Sequence, residues 1–327
     1  MIYSSKIGTN HKFINIVNRR SKVCLENWKY FLMPCLVVSA VFFLLHDTNK
    51  TNDFPSKTVR PILKYNLMEE TKNRLEETEC TLEYANVQRL QQDHPCVLEL
   101  IRKTYFHKPF PPDIPLNLQN IPKTNDPSAG QATAVMRLLG NQSNGFFVEC
   151  GASDGEFLSN TLYMERFKNW TGILIEPDYA SYQSLLTRKR KAWSSNTCLS
   201  IKPFPTKVYF KSGFATGSIQ EIAPQFGNTS FITVQCFPFY SFLQAYRQTS
   251  VDFFSLDVEG YELEVLKTIP WHKVNIKIIV VEWEHVKDGE DAIIHFMEDN
   301  GFINFGKIST PYARDIVFVK DFLRFVS

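Results

Sequence analysis

The chain has 327 residues, 44% of them hydrophobic and 14% aromatic, which is enough for one large or two ordinary domains and excludes a disordered protein. Its net charge of +2 hides an asymmetry: the first 29 residues hold six Lys or Arg against Glu26 alone, and the 30 basic and 33 acidic residues that remain leave the rest of the chain at −3. A basic surface for nucleic acid is therefore not expected.

Behind the basic segment, residues 30–45 run for sixteen positions without a charge. As a helix the run covers roughly 24 Å, a little short of the roughly 30 Å hydrocarbon core, a mismatch that thin membranes and a snorkelling Lys29 absorb. A buried core helix would show a polar face, and a cleaved signal peptide would have a shorter lead and a small-x-small pair at its end. The run has neither, so a transmembrane signal anchor is expected. With Lys and Arg concentrated before it, the basic tail (residues 1–29) stays in the cytosol and everything after the anchor lies in the lumen. The localisation expected is a secretory-pathway membrane, in endoplasmic reticulum, Golgi or endosome.

Residues 46–92 then read as a linker and a helical stalk. Residues 47–61 are polar with two prolines, whereas 66–92 lack Gly and Pro and place Met68, Leu75 and Leu82 seven apart, a pattern that breaks at Arg89. Residues 93–327 are expected as one luminal domain. It opens with a short helix over 96–105, a proline-rich crossing over 108–122 and a helix over 128–140. Asn49, Asn141, Asn169 and Asn228 all stand in N-glycosylation sequons, each weak alone. Cys80, Cys96, Cys150, Cys198 and Cys236 follow the anchor, where disulfides persist. Cys150 reads as a buried thiol, which leaves four cysteines and three pairings; Cys80 with Cys96 and Cys198 with Cys236 is our expectation. No spacing is a zinc pattern.

Residues 145–155, Gly-Phe-Phe-Val-Glu-Cys-Gly-Ala-Ser-Asp-Gly, organise the remainder of the chain. They read as a buried strand turning sharply into a helix, with Gly151 and Gly155 allowing a tight turn. A dinucleotide loop would need glycine where Ser153 stands. Acid-x-Gly-x-x-x-Gly is instead the loop signature of S-adenosylmethionine methyltransferases, although a glycine corner after a strand also occurs without a ligand. Strands are expected over 146–150, 172–175, 251–258 and 276–281, and helices over 158–167, 179–190, 261–269 and 291–300. The alternation predicts an α/β fold with a doubly wound, mainly parallel sheet. Residues 301–306 and 313–320 are joined too tightly for a crossover helix and should close it as an antiparallel hairpin.

Ligands of such sheets lie beyond the carboxyl ends of the strands, where several acids fall. Glu149 and Glu176 stand at the two places expected for cofactor contacts, Glu176 being 21 residues past Gly155, where a ribose-binding carboxylate is usual. Asp257 and Glu259, two apart on a strand and so on one side, are the candidate catalytic residues on the acceptor side, with His285 as a further candidate. Groups at strand ends also cap helices or sit in solvent, which is the reading we favour for Glu262, Glu264, Glu282, Glu284 and His285, and structure or solvation for the basic run 188–191. The carboxylates offer oxygen ligands for a divalent cation, but no histidine pair or ligand loop supports one, and no metal is expected.

Three of these stretches, Phe-Val-Glu-Cys-Gly-Ala-Ser-Asp-Gly, Ile-Glu-Pro and Asp-Phe-Phe-Ser-Leu-Asp-Val-Glu-Gly-Tyr-Glu-Leu-Glu-Val-Leu, resemble the FkbM-type methyltransferase family. Further stretches starting at Ser159, Thr197 and Val265 resemble its Star group of animal secretory-pathway membrane proteins, and the likeness spans residues 96–319. The resemblance implies the class I S-adenosylmethionine-dependent methyltransferase fold, with Glu149, Gly151, Ala152, Gly155 and Glu176 as cofactor-binding positions. It also implies two different activities. FkbM-type proteins methylate hydroxyl groups, whereas Star proteins help membrane-tethered growth-factor precursors leave the endoplasmic reticulum. The partners expected are thus the membrane and a luminal protein cargo, with no nucleic acid.

Overall fold

The computed structural model describes residues 80–119, 125–213, 217–220 and 231–321. The expected cytosolic tail, the anchor at 30–45, the linker, most of the stalk, and the sequons at Asn49 and Asn228 lie outside the described residues. Among those described, no helix is long and apolar enough to cross a membrane.

All described residues belong to one compact unit, 73–327. It begins with α1 (Leu82–Val87), capped by the Thr81 hydroxyl, which accepts from the Tyr84 N–H. Residues 80–92, expected as the end of a stalk, pack onto the domain instead: Ala85 is wholly buried, and Leu82 and Leu90 lie against the core. Then come α2 (Pro95–Leu100), continued by a π-helical turn Ile101–Tyr105, and α3 (Gln131–Leu138).

From residue 146 strands and helices alternate: β1 (Phe146–Cys150), α4 (Leu162–Lys168), β2 (Thr171–Ile175), α5 (Tyr179–Thr187) and β3 (Trp193–Ser195). After an inserted segment come α6 (Phe239–Tyr246), β8 (Ser250–Leu256), α7 (Glu262–Thr268), β9 (Asn275–Glu282), α8 (Gly289–Asp299), β10 (Phe302–Thr310) and β11 (Ala313–Lys320). The seven-stranded sheet runs β10-β11-β9-β8-β1-β2-β3. β11 pairs antiparallel with both β9 and β10, and the other pairs are parallel. This is the mainly parallel, doubly wound α/β sheet with an antiparallel close that the alternation of strands and helices predicts.

Strand alternation divides the core in two. Phe146, Val148 and Cys150 face one side with residues of α6, α7 and α8, while Phe147 faces the other with residues of α3, α4 and α5. Both sides of the central strands are buried, which is why these strands are continuous apolar runs.

The insertion between β3 and α6 builds a second, four-stranded sheet that the sequence pattern does not predict. Its order is β4-β7-β5-β6, from β4 (Cys198–Leu199), β5 (Thr206–Lys211), β6 (Ser218–Gln220) and β7 (Phe231–Phe237). Cys198 of β4 is bonded to Cys236 of β7 at 1.97 Å, and Cys80 to Cys96 at 2.11 Å. Cys150 is free and buried, and burial pushes its thiol well above the usual range, so it is a poor nucleophile.

Candidate active site

The turn after β1 is stitched to its neighbours on both sides. Gly151 and Ala152 donate their N–H groups to the Ile175 carbonyl at 3.1 and 3.2 Å, and the Asp257 N–H reaches the Cys150 carbonyl at 3.2 Å. Gly151 has φ +82°, and a Cβ there would stand 2.3 Å from the Asp257 carbonyl oxygen. Gly155, at φ +75°, would bring a Cβ within 3.0 Å of Leu185. Gly151 is thus required by protein packing and Gly155 is favoured by its left-handed backbone, before any ligand is considered.

Glu176 follows β2 and is 5% exposed. Its Oε2 accepts the Ser153 N–H and its Oε1 the Asp178 N–H, each at 2.7 Å. Burial pushes its pKa up to about 8, against the two backbone bonds that favour the charged form. Glu149 goes elsewhere. Its carboxylate is buried on the far side of β1 and accepts from Ser159 Oγ at 3.0 Å, the Asn160 N–H at 2.7 Å and Thr161 Oγ1. Burial raises its pKa and Arg190 opposes the rise. Arg190 joins that network through Thr161 Oγ1 at 3.1 Å, pairs with Glu165 at 2.9 Å and donates to the Gly155 carbonyl. Arg188 pairs with Asp154 and Glu156, so both arginines of the basic run brace the glycine loop from within.

A pocket opens at the carboxyl ends of β1, β2 and β8. Gly151, Ser153 and Glu176 line it from the first two turns, and Asp257, Val258 and Glu259 from the third. Leu199, Phe210 and Ile219 supply an apolar wall from the second sheet. Those three were missed in the sequence; the only signal was the Cys198–Cys236 pair, which holds β4 beside the pocket. Of the expected cofactor residues, Gly151 and Glu176 meet here, whereas Glu149, Ala152 and Gly155 do not line it.

Asp257 and Glu259 both line the pocket, but not because strand alternation puts them on one side. β8 ends at Leu256, and Glu259 has φ +56° in the turn beyond. Glu262 ends the strand by accepting the Val258 N–H at 2.7 Å and the Gly260 N–H at 3.0 Å at the start of α7. Burial, then the negative charges of Glu259, Glu262, Glu282 and Asp315, push the Asp257 carboxyl well up. Glu259 is raised by burial, opposed by His285, whose Nδ1 lies 2.8 Å from Glu259 Oε2. Glu284 and His285 are exposed, and Glu282 is buried at the end of β9.

Residues 149–303 match the model of the methyltransferase FkbM domain. The matched segment runs from the end of β1 into β10 and so covers the pocket. Among solved structures the chain is similar to a methyltransferase FkbM from Methylobacillus flagellatus KT, at 16% identity and a TM-score of 0.37 over 54% of this chain and 43% of that one. It thus spans less than half the length of that protein. It is also similar to the METTL16 MTase domain (12% identity, TM-score 0.38, 69% of this chain and 80% of that one). A human methyltransferase 10 domain containing protein is similar at 11% identity and TM-score 0.37, over 71% of this chain and 100% of that one. A search of curated protein sequences returns no match.

Proposed function

We propose that the pocket of this FkbM domain binds S-adenosylmethionine and that the domain passes the methyl group to a hydroxylated acceptor. The observation that carries this reading is Glu176. Each of its oxygens accepts one backbone N–H and retains a second lone pair at the pocket that Glu176 lines, the pair of acceptors that a ribose diol requires. Leu199, Ile219 and Val258 give an apolar surface for an adenine. Asp257 and Glu259 complete a lining that, among the described residues, holds no Lys, Arg or His and so suits a positively charged ligand. Bound there, the cofactor supplies an electrophilic methyl group on a sulfonium. His285 lies outside that lining; with its Nδ1 2.8 Å from Glu259 Oε2, its Nε2 is left to take the proton of an acceptor that approaches past Glu259.

Calorimetry of the full chain with S-adenosylmethionine tests this. Binding in the micromolar range, lost in Glu176→Ala, is expected; no heat up to about 1 mM, far above working concentrations of such cofactors, would sink the enzyme reading.

A second reading is favoured by the glycine positions. Because Gly151 is fixed by packing against Asp257 and Gly155 by its left-handed backbone, the fold needs its loop whether or not a cofactor is bound. A luminal body that engages membrane cargo such as growth-factor precursors, and promotes their vesicle-mediated export, is compatible with the same motif. Two disulfides support an oxidising compartment for either activity. We propose a type II arrangement, with the body in the secretory lumen behind an anchor at 30–45. Asn141 and Asn169 are exposed, so glycans are expected on both, and the body should resist protease in intact microsomes. Digestion of the body without detergent would overturn this topology.

A further inference from the structure

We propose that Asp257, Glu262 and Glu282 form a binding site for a hard divalent cation, Ca²⁺, Mg²⁺ or Mn²⁺, beside the pocket. Sequence spacing shows no such site, because its members come from the turn after β8, the start of α7 and the end of β9. β8 and β9 are parallel neighbours, so their carboxyl ends bring the three acids together. Each offers a carboxylate oxygen, all within 4.8 Å of one another. Oxygens around one cation at about 2.4 Å are separated by up to roughly 4.8 Å, so the cluster has the span of one coordination sphere.

An independent observation points to a ligand. Glu282 is only 7% exposed, and its Oε2 is fully buried without a hydrogen-bond partner. Its Oε1 accepts the Glu284 N–H at 2.9 Å, which fixes the carboxylate and leaves the other oxygen unsatisfied. Burying a carboxylate oxygen this way is costly unless a proton or a metal ion meets it. Glu262 is fully buried and held by two backbone N–H groups, which orient its oxygens while leaving lone pairs for a ligand. Among the described residues no Lys or Arg is paired with any of the three. Among the described residues the basic group within 4 Å of them is His285, 3.7 Å from Glu282 Oε1 and engaged with Glu259. An all-carboxylate donor set selects hard cations over zinc. Since Asp257 also lines the pocket, the cation would put a Lewis acid at the pocket wall. Cation binding itself does not depend on the methyl-transfer reading.

The test uses the full chain, stripped with EDTA and titrated with CaCl₂, MgCl₂ or MnCl₂ by calorimetry and thermal melting. At least one salt should give saturable heat and raise the melting temperature. Glu282→Gln should weaken binding at least about tenfold, the loss of one of three charged ligands, while Asp299→Asn, on the exposed face of α8, should not. In EDTA, Glu282→Gln should melt at or above the wild type, because it relieves repulsion among the acids; a general folding defect would lower it. If that variant fails to fold, Asp257→Asn is read the same way. No response up to about 10 mM cation, beyond the weakest range of such sites, overturns the proposal. So does equal binding by the variant, or a response to ZnCl₂ alone.

Discussion

Gly151→Ala should destabilise the protein by about 3–5 kcal/mol, while Gly140→Ala should cost only about 1 kcal/mol. Both glycines have positive φ, +82° and +58°, and so share the backbone penalty of placing a side chain in the left-handed region. They differ in space. Nothing lies within 4 Å of a Cβ built on Gly140, whereas a Cβ on Gly151 meets the Asp257 carbonyl at 2.3 Å. That oxygen is backbone, and it is tied to the β1–β8 seam by the Asp257 N–H bond to Cys150. Relief therefore requires the seam to open or the turn carrying Asp257 and Glu259 to move. Urea midpoints of the two variants measure the difference directly. Equal losses would mean that the turn yields easily, and that the loop's first glycine is not dictated by packing.

The contrast shows what the sequence could reveal. A strand buried on both faces must be a continuous apolar run, so β1, β2, β8 and β9 were readable at close to their true limits. The second sheet was not. β4 has two residues, and β5 alternates half-buried and exposed positions over Thr206–Lys211, leaving no apolar run to recognise, yet it carries Phe210 into the pocket. Glu149 could have been judged better from periodicity alone. It shares a face of β1 with Phe147, the face covered by α4 and α5, so its carboxylate meets the 159–161 segment and not the pocket. Asp257 and Glu282 were each noticed at a strand end. What joins them is strand order, a long-range property that no local spacing encodes.

Glu176→Gln should remove cofactor binding and, independently, reduce the dependence of stability on pH. In the folded chain burial moves this carboxyl from its ordinary 4.5 to about 8. Between those values the native state keeps a proton that the unfolded chain has lost, so the wild type becomes less stable as pH rises through this window. At about 1.4 kcal/mol per unit, the contribution is of order 5 kcal/mol by pH 8. Asp315, pushed up to about 6 by burial, adds a smaller loss of the same sign at lower pH. Denaturation at several pH values in EDTA, which keeps cations from the acidic cluster, should show a decline for the wild type that is reduced in Glu176→Gln by this one group's share, the remainder coming from Asp257, Glu262 and Glu282, which burial also raises. Parallel declines would mean that Glu176 is not the buried acid responsible. A ribose diol donating to this carboxylate favours its charged form, so S-adenosylmethionine affinity should rise with pH and level off near 8. The apo protein thus holds an unfavourable acid in its pocket wall, and a hydroxylated ligand is what would relieve it. An affinity that does not vary with pH would separate Glu176 from the ligand even if the stability profile behaves as expected.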